Sequence, residues 1–194
     1  MKSLLSISRA IDALNRGVGQ VLIWLVLIMV LISAGNAVMR YAFNISSNAF
    51  LEMQWYLFGA AFMGAAAYTL QQNEHIRIDI FYGTRSRRTQ HWIDLFGHVF
   101  FLMPFVVLMT WMLVPYAYQA WKIGQISTNS GGLVIWPARA ILAAGFALLV
   151  VQGISEIIKK IAVMRGLIED PFPHQTAQEQ AEAEARALAA EIAK

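Results

Sequence analysis

The sequence predicts an all-α integral membrane protein. It has four transmembrane helices, an N-terminal amphipathic helix in the membrane interface, and both termini on the cytoplasmic side. Three observations carry this expectation. First, 58% of the 194 residues are hydrophobic and only 14% are charged, against about 25% charged in an ordinary globular chain. Second, the apolar residues fall into four runs, each long enough to cross about 30 Å of hydrocarbon at about 1.5 Å per helical residue. Third, Lys and Arg are distributed unevenly between the two sets of connecting segments, and that asymmetry orients such a chain. Counting them gives three before the first run, four in the central loop and five after the last run. Only Arg40, Lys122 and Arg139 fall on the other side.

The elements follow in order. Residues 1–17 place Leu4, Ile7, Ile11 and Leu14 at helical spacing, with Arg9, Asp12 and Arg16 elsewhere around the wheel. That pattern suits an interfacial helix, the alternative being a plain extension of the first span. The transmembrane domain occupies residues 18–160, with spans at about 18–39, 50–70, 92–118 and 134–158. Residues 44–48 and 127–132 form short polar turns on the outer face. Glu52, Trp55 and Tyr56 open the second span, and its later glycines and alanines allow close helix approach. Pro104 should kink the third span, and Pro115 should end it. Trp136-Pro137 opens the fourth, proline being suited to a first helical turn. Residues 161–194 form a cytoplasmic tail, partly helical, in which Thr176 and Glu179 have capping-box spacing.

Composition excludes several classes of function. There is no cysteine, hence no disulfide framework and no thiolate metal site. No Gly-rich phosphate loop and no nucleophile triad is present, so no enzymatic activity is expected. The basic residues gather at helix ends, which points to lipid headgroups rather than nucleic acid. His91, Asp94 and His98 share one helix face. They are read as an interfacial histidine, a carboxylate near a helix N-terminus and a partly buried histidine, rather than as a metal site. Only His98 falls inside a span, whereas bis-histidine haem needs one histidine from each of two helices. Two local ion pairs are expected: Glu52 with Arg40 and Arg139 at the outer face, and Glu156 with Lys160 four residues on.

Several short segments together resemble a family. Asn73-Glu74-His75-Ile76-Arg77-Ile78-Asp79, Glu52 with Trp55, Ser127 with Asn129 and Gly131-Gly132-Leu133, and Gln152-Gly153 look like the small permease (Q, or DctQ-like) subunit of TRAP transporters. The resemblance covers residues 18–158. It implies a tripartite system of the bacterial inner membrane. A periplasmic binding protein captures an organic acid, and a large (M) permease subunit imports it with sodium by an elevator motion. The small subunit resembles a fixed scaffold, with no cofactor, substrate site or metal of its own. Candidate structural or subunit-interface residues are then Arg40, Glu52, Trp55, Tyr56, His75, Arg77, Asp79, Asp94, Ser127, Asn129, Arg139, Gln152 and Glu156. The alternatives are a membrane anchor for a redox enzyme complex and an independent small channel.

Overall fold

The computed structural model describes residues 1–73, 82 and 85–171. Four helices make up nearly all of it: α1 (Lys2–Phe43), α2 (Asn48–Gln71), α3 (Arg87–Lys122) and α4 (Trp136–Met164). They run up and down, so the start of α1, the end of α2, the start of α3 and the end of α4 share one end of the bundle. Ser8 touches Ser155 there, and Asp94 touches Lys160. At the opposite end the loop after α3 folds over the start of α2. α4 is central: it packs on α1, α2 and α3, while α1 and α3 lie on opposite sides of it.

Three of these helices are long and apolar enough to cross a membrane: α1, α3 and α4. Within their most apolar windows only 6% of α1 and of α3 is buried, against 33% of α4. The outer two therefore present their apolar side chains outward, to lipid or to another chain. The second expected span, α2, is a 24-residue helix of suitable length. Glu52, Gln54 and Gln71, together with its many small residues, dilute its apolar character, so composition alone marks three membrane helices rather than four.

Three local expectations are corrected. Residues 1–17 do not form a separate element, because α1 continues without a break to Phe43, where Asn44 caps it in the left-handed conformation (φ 55°). Its N-terminal polar stripe packs on α4 instead of facing water. Pro115 does not end the third helix but lies inside it. And rather than a simple kink at Pro104, a wide π-turn spans His98–Leu102 just before it. The proline ring would otherwise press on the carbonyl four residues back, and a wider turn relieves that contact. The capping-box residues Thr176 and Glu179 lie outside the described residues.

Close approach between helices depends on glycine at two crossings. A Cβ at Gly145 would lie 2.5 Å from the Cβ of Met63, where α4 meets α2. At Gly64 it would meet only the methyls of Leu22, at 2.9 and 3.1 Å. Around these crossings Ala67, Leu70, Val106 and Leu149 form the buried apolar core.

Candidate functional site

The polar groups concentrate in two places, one at each end of the bundle. The first is built on Glu52. Its carboxylate is buried and accepts three hydrogen bonds from the loop between α3 and α4. The donors are the Ser127 hydroxyl, the Asn129 side-chain amide at 2.7 Å and the Leu133 backbone N–H at 2.6 Å. The loop is prepared for this. Ser127 N–H bonds the Leu133 carbonyl (2.9 Å), Ile126 and Val134 form an isolated antiparallel bridge, and Gly131 turns the chain at φ +70°. Gly132 must lack a side chain, since a Cβ there would fall 2.8 Å from Glu52 Oε1. Asn48 bonds the Ser130 carbonyl (2.8 Å) and Tyr56 OH the Val134 carbonyl (3.1 Å). The first turns of α2 thus clamp the loop from three side chains.

This geometry replaces the expected ion pair. Arg139 lies over the ring of Tyr116, 3.6 Å from its centroid, and reaches the Tyr116 carbonyl at 3.4 Å. Arg40 is exposed and makes no ion pair among the described residues. The physical reason is that the Glu52 oxygens are already saturated by short-range donors from one loop. Glu52→Gln is therefore expected to lower the melting temperature of the purified protein by several degrees, because an amide presents a donor to at least one existing donor. Arg40→Gln should leave it unchanged, and the double variant should melt like Glu52→Gln. A loss in Arg40→Gln equal to that in Glu52→Gln would restore the ion pair.

The second cluster joins α1 to α4. Gln152 lies fully buried at its centre. It accepts from Asn15 at 2.6 Å and donates to Asp12 at 3.0 Å and to Glu156 at 2.7 Å. Ser155 bonds Asp12 (3.0 Å) and Ser8 (2.7 Å). Lys159 bridges the two carboxylates, 3.1 Å from Asp12 Oδ2 and 2.6 Å from Glu156 Oε1. Gln71, at the end of α2, donates to the Asp12 backbone carbonyl at 3.0 Å. A neighbouring pair ties α3 to α4: Asp94 is buried and receives Lys160 at 2.7 Å and Tyr82 OH at 2.9 Å.

Of the residues singled out from the sequence, Glu52, Tyr56, Ser127 and Asn129 meet at one end, and Gln152 and Glu156 meet at the other. Asp94 stands beside the second cluster. Trp55 is exposed and takes part in neither. His75, Arg77 and Asp79 lie outside the described residues. The expected pairing of Glu156 with Lys160 is corrected, since Lys160 turns to α3 and Lys159, one residue earlier, turns to α1. His98 gives its ring nitrogen Nδ1 to the Asp94 carbonyl one turn back in the same helix at 2.7 Å, Asp94 is held by Lys160, and His91 Nε2 stands 3.8 Å from Asp170. Ser8, Asp12, Asn15, Ser155 and Lys159 were not foreseen as a site. The signal was present: Ser8, Asp12 and Asn15 form one helical stripe, and Gln152, Ser155, Glu156 and Lys159 form its complement.

The first cluster holds the loop before α4 to α2 and the second holds α1 to α4, and the apolar length between them carries no Asp, Glu, Lys or Arg. Neither a curated protein nor a solved structure matches the chain. A family model does, over residues 28–163, and its description is "Tripartite ATP-independent periplasmic transporters, DctQ component". The match takes in Glu52, the loop that Glu52 clamps, and the α4 half of the second cluster. With most of its length covered, this multi-pass membrane protein belongs to the DctQ family of TRAP transporter components.

Proposed function

We propose that the chain is the small scaffold subunit of a sodium-coupled, binding-protein-dependent transporter that imports an organic acid, and that it supports the large elevator-type permease subunit in the bacterial inner membrane. The observation that carries this reading is the placement of charge. Every acidic or basic side chain of the four helices lies outside the apolar stretch of its helix, and the buried ones bind the loop before α4 or a neighbouring helix. A carrier would need polar groups near the midplane and broken helices to present them. Two outward grooves along α1 and α2 favour a partner helix rather than lipid alone. One, of about 270 Å³, is lined by Asn36 among apolar residues; the other, of about 530 Å³, by Ser33 and Gln54 beside Trp55. Polar and small residues at such depth are what helices use to associate in lipid.

In this reading α2 also crosses the membrane, and the end bearing Asp12 and Lys159 is cytoplasmic, as the Lys/Arg asymmetry indicates. Single cysteines at Ser46 and Ser130 should then react with an impermeant reagent applied from outside the cell, and one at Ser3 should not. The reverse pattern would overturn the orientation. For function, the chain alone in liposomes should give no solute flux. Large subunit and binding protein together should take up solute only when this chain is also present. Undiminished uptake without it would refute the scaffold role.

A further inference from the structure

One cleft belongs to neither polar cluster. It lies between the first turns of α3 and the last turn of α4, with a volume of about 730 Å³. Arg88 and Arg165 line it from opposite helices, with His91 beside them, and its walls are Trp92, Leu95 and Ile161. Both arginines are exposed, and neither makes an ion pair among the described residues. His91 has a buried ring nitrogen, Nδ1, with no hydrogen-bond partner among the described residues. Its other nitrogen stands 3.8 Å from Asp170, which does not line the cleft. The two lysines of the preceding α4 turn behave differently: Lys159 and Lys160 are both neutralised by carboxylates. Two guanidinium groups with no ion pair among the described residues thus line a cleft with apolar walls, at the ends of two membrane-length helices.

We propose that this cleft binds the headgroup of an anionic glycerophospholipid. The phosphate sits between Arg88 and Arg165, which match its geometry bidentately. The N-terminal turn of α3 adds its partial positive charge. His91 forms part of the wall beside the arginines, and the acyl chains run along Leu95 and Ile161. Trp92, more than half exposed, marks the headgroup level. A free anion would use the same arginines but gain nothing from the apolar walls, so a lipid is the occupant argued here. The inference is independent of the scaffold reading, since it concerns this chain alone.

The test uses the full chain purified in detergent, with dioleoyl phosphatidylglycerol, dioleoyl phosphatidylcholine or inorganic phosphate added, read by native mass spectrometry and by melting. Phosphatidylglycerol should be retained and raise the melting temperature, while the other two should not. In Arg88→Gln/Arg165→Gln that affinity should fall about 30-fold, with melting in phosphatidylcholine unchanged. Arg9→Gln/Arg16→Gln removes the same charge from exposed positions at the same end of the bundle and should retain the lipid. Three results would each overturn the proposal: equal retention of both lipids, equal stabilisation by inorganic phosphate, or an equal loss in the Arg9/Arg16 variant.

Discussion

Lys159→Met is expected to destabilise the protein by about 3–5 kcal/mol, the cost of stripping the counter-charge from a mostly buried ion cluster. Among the described residues the lysine is the one cation placed between Asp12 and Glu156, and its side chain is only 14% exposed. Without it two carboxylates face each other across Gln152, which can donate to both but brings no charge. Lys159→Met/Glu156→Gln should recover a large part of the loss, because one carboxylate with the Gln152 and Ser155 donors is tolerable where two are not. Melting of the detergent-purified variants measures this. Equal melting of the single and double variants would show that the carboxylates do not repel, and that the cluster is wetter than its burial indicates.

Gly145→Ala should cost about 1–3 kcal/mol, the range for forcing an extra carbon into a packed contact. The new Cβ would sit 2.5 Å from Met63 Cβ and 3.2 Å from the Met63 carbonyl oxygen, and neither can rotate away. The α2–α4 crossing would have to open. Gly64→Ala provides the contrast. There the obstacle is the far end of the flexible Leu22 side chain, and alanine gains up to about 1 kcal/mol of helix propensity over glycine. Gly64→Ala is thus expected to be near neutral in melting. If the two variants melt alike, the α2–α4 crossing is not the tight one.

The helical frame and several residues of the two polar clusters could be read directly in the sequence, while their partners could not. Apolar runs of membrane length, short polar turns and the positive-charge asymmetry are properties of one segment at a time, so they are visible before folding. Glu52 and Glu156 stood out as charges near span ends, and Ser127, Asn129 and Gln152 through the segments that resemble the family. What each binds depends on rotation about the helix axis and on which helix lies opposite. One residue along a helix turns the side chain by about 100°, and that decides whether α4 offers Lys159 or Lys160 to α1. Long-range choice misled the Glu52 expectation as well: the arginines were the obvious counter-ions by charge, but the loop between residues 127 and 133 reaches the carboxylate with uncharged donors. The N-terminal stripe was misjudged because a polar helix face reads the same whether it meets water or a polar neighbour.

The central position of α4 also fixes an order of events during synthesis. Of the four described helices the ribosome makes α4 last, yet α1 and α3 have no contact surface of comparable extent with each other. Ser8 waits for Ser155, which is 147 residues later. Until then the stripe of Ser8, Asp12 and Asn15 has no partner, and α2 can pair only with α1. The nascent chain is accordingly a loose hairpin followed by a lone helix, and the arrival of the final helix closes both sides at once. Because the unmatched polar stripe lies in the first turns of α1 rather than in its apolar middle, it can stay hydrated while it waits. A chain arranged this way completes its assembly in one late step, and any quality-control protease meets its most vulnerable form just before that step.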